Sequence, residues 1–115
     1  ILLKTDSSGL YKKGHFSREF AYLTEDGAEY IRDRETRLVG IDYLSVDPWT
    51  SPEENFAYTA HHLLLDPRKD GIPPTIIIEA IDLEEVEEGE YDLICMPLRI
   101  VGAEGSPARV VLKGK

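Results

Sequence analysis

Three histidines, one cysteine and a few carboxylates in unusual company are the side chains of this 115-residue chain that could do chemistry. His15 stands alone in a basic, aromatic stretch and reads as structural or solvent-exposed. His61 and His62 are adjacent, near the end of an apolar-striped helix. At ~100° per residue each falls off the centre of that stripe, on opposite flanks, so periodicity does not choose between them. The ordinary reading of either is a helix-end histidine meeting the last carbonyls. Glu79 follows Ile76-Ile77-Ile78 and precedes Ala80-Ile81. A carboxylate in such a run is costly to bury unless it is paired or bound to a metal, and the plain alternative is strand alternation turning it to solvent. A histidine and a glutamate both bind first-row dications, but two ligands are too few for a catalytic centre. Asp42 and Asp47 flank a loop after a buried strand, where site residues often lie, yet turn formation is the favoured role for both. Tyr43 and Trp49 could line a pocket for an aromatic ring, or serve equally well as core or interface anchors. Cys95, among Leu93, Ile94 and Met96, reads as a buried core thiol rather than a nucleophile, which needs an electropositive, accessible setting.

The elements that must position these groups follow from pattern. Residues 1–5 read as a short buried strand, Asp6-Ser7-Ser8-Gly9 as a turn, and residues 10–22 as an ordered loop anchored by Tyr11, Phe16, Phe20 and Tyr22. Thr24 is a good N-cap for a helix with Glu25 and Asp26 in its first turn and Arg32 and Arg34 in its last, as the helix dipole favours. Leu38 to Ile41 is a buried strand, followed by a Pro-containing loop to Thr50. A second helix is expected to open at Ser51, with Pro52 at its first position and Ser51 and Glu54 at capping-box spacing. Its apolar stripe is Phe56, Ala60, Leu63 and Leu64, and Asp66-Pro67 ends it. Strands follow at Thr75 to Ile78, Tyr91 to Val101 and Arg109 to Leu112, the second crossed by Pro97 as at an edge or a bulge. The order β-α-β-α-β-β-β predicts an α/β fold, one domain over 1–115, with a mixed sheet and helices packed on it.

Charge narrows the partners. With 22 acidic against 13 basic residues the net charge is −9, which argues against non-specific nucleic-acid binding and against an anionic membrane surface. The run Glu84, Glu85, Glu87, Glu88 and Glu90 lacks the glycine-centred spacing of a calcium loop and reads as solvated. No apolar run approaches the ~20 residues of a membrane span, and residues 1–10 do not have the form of a signal peptide. A single cysteine cannot form an internal disulfide and suits a reducing cytoplasm. The only methionine is Met96, so the chain opens at Ile1 without an initiator. Methionine removal, tag cleavage, processing and a missing amino-terminal region are all compatible with this.

Several segments, in order, resemble the cyclase family, which includes bacterial kynurenine formamidase and isatin hydrolase. Val39-Gly40-Ile41-Asp42-Tyr43-Leu44-Ser45-Val46-Asp47-Pro48 resembles its GIDxxSxDP segment. Ala60-His61, then Ile78-Glu79-Ala80-Ile81-Asp82-Leu83, resembles its AH and (I/L)EGIxL region. Gly89 to Ile94 and Pro97 to Ile100 resemble the strand GxYxLIxLPLxI. Gly102-Ala103 and Gly105-Ser106-Pro107-Ala108-Arg109 resemble the ending GADGSPARAVL, and Leu2-Leu3-Lys4-Thr5 fits the strand entering this half. Nearly the whole chain is covered, as the carboxy-terminal half of the pattern.

The resemblance implies a swivelling β/β/α fold, with a mixed sheet curled toward a barrel, helices outside, and here an incomplete half of it. It implies a metal-dependent hydrolase of an amide, formamide or lactam, arylformamidase-like, with zinc or manganese as the cofactor and His61 and Glu79 as two metal ligands. His62 is not among the implied ligands. The family's other ligands and its histidine base come from an amino-terminal HxGTHxDxPxH motif that this sequence lacks, so no residue here is implied to be the catalytic base. The interval from His61 to Glu79 is also longer than usual, with extra residues around Asp66 to Asp70. Three functional expectations follow: a hydrolase completed by a missing half, upstream or on a separate chain, in a homo- or hetero-oligomer that takes a small-molecule substrate; a non-catalytic binding or assembly domain that kept the fold and lost the site; or a remnant folded mainly through oligomer contacts.

Overall fold

A four-residue parallel strand organises the first part of the chain. In the computed structural model, which describes residues 1–12, 14–50, 57–67 and 70–115, two compact units are distinguished, Ile1–Glu85 and Val86–Lys115. The first unit contains β1 (Leu2–Leu3), α1 (Ser8–Lys12), α2 (Glu25–Asp33), β2 (Leu38–Ile41), α3 (Thr59–Leu65) and β3 (Ile76–Ile78). Its sheet has the order β1-β2-β3, both pairings parallel. The second unit is an antiparallel pair, β4 (Tyr91–Pro97) and β5 (Ala108–Gly114), in register from Tyr91 opposite Gly114 to Pro97 opposite Ala108. The α/β expectation holds. Parallel and antiparallel pairing are both present, divided between two sheets.

β2 is central because its sequence suits a strand covered on both faces. Val39 and Ile41 are buried in one apolar cluster with Ala28 and Ile31 of α2, Val46, and Ala60 and Leu64 of α3. Gly40, between them, meets a different demand. A Cβ built there would stand 2.6 Å from Leu2 Cδ2 and 2.9 Å from Ile81 Cδ1, so this position accepts only glycine without displacing both side chains.

α2 runs as its charges predict, with Glu25 and Asp26 in the first turn and Arg32 in the last. Thr24 adopts an extended N-cap conformation, although its side chain makes no capping bond. The helix ends in a Schellman arrangement: Glu35 N–H donates to Arg32 O (2.9 Å) and Thr36 N–H to Ile31 O (3.2 Å). That closure puts Glu35 at φ 55°, where glycine is usual.

Three elements differ from expectation. Residues 8–12, expected in turn and loop, form the short helix α1. β4 stops at Pro97 instead of reaching Val101; proline has no N–H to carry the ladder onward, although Leu98 N–H still reaches Pro107 O at 3.0 Å. α3 begins at Thr59, since Ala57 and Tyr58 are not helical and Tyr58 is left-handed at φ 42°, ψ 45°. The expected helix start at Ser51, Pro52 and Glu54, with Phe56, lies outside the described residues.

Both aspartates read as turn formers have other work. Asp42 is fully buried and accepts from Thr5 N (2.8 Å), Thr5 Oγ1 (2.6 Å), Ser8 N (3.3 Å) and Ser8 Oγ (3.0 Å), while Ser8 Oγ accepts from Leu83 N (2.9 Å). It thereby joins the start of α1, the end of β2 and the chain beyond β3. Cys95 is partly exposed rather than buried, because a two-stranded unit has too little depth to cover it.

Candidate metal centre

The loop after β2 sets the site. At its far end Asp47, 4% exposed, turns its carboxylate onto the start of α3. Oδ1 accepts from Ala60 N (2.8 Å) and Oδ2 from His61 N (3.0 Å), so two of the helix's unpaired N–H groups are satisfied from outside the helix. The same Oδ2 lies 2.5 Å from His61 Nδ1. This side-chain bond fixes the imidazole's rotation and keeps the proton of the neutral ring on Nδ1, leaving Nε2 pointed the other way.

Nε2 faces Glu79 Oε1 at 3.4 Å. Glu79 follows β3 directly, and Val46 N–H donates to the same Oε1 at 2.8 Å. Two adjacent residues of one loop, Val46 and Asp47, therefore hold the two potential donors. The residue after Glu79 is under strain: Ala80 has φ 60°, and its N–H donates to Tyr43 O at 2.7 Å. That left-handed step turns the chain off the strand direction immediately after the carboxylate.

Between two carboxylates the imidazolium is favoured. Glu79 first, then Asp47, raise the pKa of His61 from 6.5 to about 9, against the opposing effect of burial. Protonated, His61 donates at both nitrogens and the trio is electrostatically complete. Deprotonated, it offers a lone pair at Nε2 beside a carboxylate oxygen.

The pair suits a metal ion. Two donors each about 2.1 Å from one tetrahedral ion stand roughly 3.4 Å apart, the separation of Nε2 and Oε1. A carboxylate on the far nitrogen is the usual support of a metal-bound histidine. Yet among the described residues no group of three or more His, Cys, Asp or Glu side chains is disposed to hold an ion. The donors fit as part of a set.

The remaining candidates lie elsewhere. His62 is exposed and faces Asp66, one turn on, at 3.4 Å. His15 is exposed. Tyr43 is buried, its hydroxyl accepting from Ser17 N (2.8 Å) and donating to Ser17 O (2.9 Å), so it anchors the loop, and it also lines a small cleft with Leu10, His15 and Phe16. Trp49 is half exposed, edge-on to Phe16 with ring centroids 5.3 Å apart and with the Arg18 guanidinium 5.5 Å from its ring. Reading residues one by one overlooked Asp47 as the partner of His61 and Val46 N–H as the partner of Glu79. The carboxylate at a strand end was the visible signal, while its anchors are distant in sequence.

No family model matches the chain. It is 40% identical over 111 residues to cyclase-like protein 1 of Oryza sativa subsp. japonica, covering 96% of this chain and 36% of that protein. It is 37% identical over 113 residues to kynurenine formamidase of Bacillus cereus, covering 98% of this chain and 48% of that one. Among solved structures, a predicted metal-dependent hydrolase from Bacillus stearothermophilus superposes with a TM-score of 0.75 at 34% identity, over 96% of this chain and 47% of that one. A potential metal-dependent hydrolase with cyclase activity gives 0.76 at 35%, over 96% and 48%. The chain spans half or less of the length of each.

Proposed function

From the premise that this chain is homologous, over nearly its whole length, to the cyclase-like proteins and kynurenine formamidases, we propose that it is one half of a divalent-metal-dependent hydrolase of amides, formamides or lactams. In this reading it corresponds to the carboxy-terminal half of the swivelling fold. His61 and Glu79 are two ligands of a zinc or manganese ion, and the other ligands and the base come from an amino-terminal region or a partner chain. The observation that carries the reading is the 3.4 Å approach of His61 Nε2 and Glu79 Oε1, each held by a separate anchor.

A divalent ion held there would polarise a carbonyl and bring the pKa of water toward neutrality. The chain's own residues do the positioning. Asp47 keeps the neutral imidazole's proton on Nδ1 and aims Nε2. Val46 N–H holds Glu79 Oε1 so that the carboxylate does not swing away when His61 loses its charge. His61 must give up the proton that Glu79 and Asp47 help it keep, so metal binding releases a proton over the range in which this histidine titrates.

A non-catalytic binding or assembly domain is the second reading, favoured by the completeness of the protonated trio without a metal. The intact mass of the purified assembly, read with its zinc and manganese content, separates the two. A metal-loaded assembly containing the missing histidine motif supports the hydrolase. A metal-free assembly of 115-residue chains supports the second.

A further inference from the structure

The chain that leaves β3 at Glu79 is received by the end of β2 and the residues just after it. Ala80 N–H donates to Tyr43 O at 2.7 Å and Ile81 N–H to Ile41 O at 3.4 Å. Leu83 N–H donates to Ser8 Oγ at 2.9 Å, and Ser8 Oγ donates to Asp42 Oδ2 at 3.0 Å. Residues 41 to 43 thus hold the segment after the carboxylate, two of them directly and Asp42 through Ser8. We infer that Ser8 is a positioning residue of the candidate metal pair: oriented by Asp42, it pins Leu83 and so fixes the backbone from which Glu79 reaches His61. The inference rests on the hydrolase reading and adds to it a residue that acts on the pair from a distance.

The segment needs such a pin. β2 and β3 pair only as far as Gly40 opposite Ile78, and Ala80 at φ 60° then turns the chain off the ladder. A residue other than glycine keeps left-handed backbone only where its surroundings hold it there. The bond from Ala80 lies at the turn, and the bond to Ser8 lies three residues beyond it. Together they set the direction in which the chain departs. Glu79 comes immediately before the turn, and Val46 N–H holds its Oε1 at 2.8 Å. The glutamate is therefore fixed at its tip by Val46 and at its root by the 80–83 segment.

Asp42 supplies the direction of the Ser8 bond. Its carboxylate is fully buried, which is costly unless hydrogen bonds replace the lost water. A serine hydroxyl has one hydrogen, and a carboxylate only accepts. The Ser8 hydrogen is thus committed to Oδ2, and the lone pairs of Oγ are turned toward Leu83 N–H. Thr5 N–H and Ser8 N–H reach the same Oδ2 at 2.8 and 3.3 Å. The Thr5 hydroxyl bonds to the other oxygen, Oδ1, at 2.6 Å, outside the line from Leu83 through Ser8 to Oδ2.

Two measurements on the purified protein, in whatever assembly it forms, test this. One is zinc affinity by chelator competition. The other is the Val46 amide proton resonance of chelator-treated protein, which reports the bond to Glu79 Oε1. Ser8→Ala is expected to weaken zinc by about tenfold and to move the Val46 resonance upfield. Thr5→Val removes a hydrogen bond from the same buried carboxylate. It is expected to lower the melting temperature as Ser8→Ala does, with zinc affinity and the Val46 resonance unchanged. Asp42→Asn keeps an acceptor oxygen for Ser8 and is expected to retain most of the zinc affinity. Unchanged zinc affinity with an unmoved Val46 resonance in Ser8→Ala, or equal losses of zinc in Ser8→Ala and Thr5→Val, overturns the inference. A loss in Asp42→Asn as large as that in Ser8→Ala overturns the directing part given to Asp42. Absence of zinc from the unaltered protein, with the Val46 resonance moved by Ser8→Ala alone, counts against the metal reading and supports the hold of Ser8 on Glu79.

Discussion

Asp47 and His61 are joined twice through one oxygen: Oδ2 accepts the His61 backbone N–H at 3.0 Å and lies 2.5 Å from its ring Nδ1. With Oδ1 on Ala60 N–H, a single carboxylate starts the helix and aims its histidine. Asp47→Ala is therefore expected to destabilise the metal-free protein by about 1–2 kcal/mol through the lost cap, and separately to weaken zinc by ~10–100-fold. Urea denaturation of the metal-free chain and competition with a chromophoric chelator measure the two effects. Unchanged zinc affinity would mean that the ring is aimed by something else.

Metal content should divide the two adjacent histidines. His61→Ala and Glu79→Gln are each expected to strip the ion, and His62→Ala to leave most of it, because His62 faces Asp66. Elemental analysis of the three purified variants decides this. Loss in His62→Ala with retention in His61→Ala would exchange their roles, and retention in all three would remove this chain from the metal site.

Stability of the metal-free protein should fall as pH rises from about 6.5 to about 9. The folded pKa of His61 is raised above its ordinary value, so the native state binds the proton more tightly than the unfolded chain. The resulting stabilisation is fully present below 6.5 and lost as pH passes through 9. Chelator-treated protein unfolded in urea across this range should show the slope, and His61→Gln should abolish its share of it. Zinc affinity should run in the opposite sense, rising across the same window as the competing proton leaves.

Among the described residues, two non-glycine residues besides Tyr58 hold left-handed backbone. Glu35→Gly, at the exposed end of α2, and Ala80→Gly, beside Glu79, are each expected to stabilise the fold by about 1 kcal/mol, the left-handed penalty less the extra freedom of glycine in the unfolded chain. Thermal melts read both. If only Ala80→Gly also lowers zinc affinity, the strained step helps to aim Glu79.

Alone, the chain is expected to associate and to lack amidase activity. On the β4–β5 pair, Ile94 and Val111 stand opposite each other and half exposed, Met96 is also open, and so are Leu98 and Ile100 just beyond β4. Two strands are too few to be stable without cover. Sedimentation at micromolar concentration checks the first expectation, and a compact monomer that unfolds cooperatively would contradict it. Chelator-sensitive turnover of N-formylkynurenine or isatin by the pure chain would contradict the second.

Local signals were legible and distant ones were not. Leu38 to Ile41 reads as a buried strand because four apolar or small residues sit between polar neighbours, and it is one. α2 shows its charges at both ends. α3, by contrast, is capped by a carboxylate 13 residues upstream, so no pattern near Thr59 marks its start. The same distance made Asp42 and Asp47 resemble turn residues. His61 and His62 lie symmetrically about an apolar stripe. What separates them is which flank meets Asp47 and Glu79, a fact of tertiary packing; the family resemblance implied a pairing of His61 with Glu79 but not the role of Asp47.

The length of the chain between His61 and Glu79, which the resemblance implies to be greater than usual, need not disturb the spacing of the two donors. Neither donor takes its position from the chain that connects them: one is tied to Asp47 and the other to Val46. Thr75 N–H meets Leu64 O at 2.8 Å, closing the excursion between them at its base. Lengthening such a closed loop costs only a logarithmic amount of chain entropy. The length of this segment can therefore change at little cost, whereas a single insertion within Ser45-Val46-Asp47 would move both donors together.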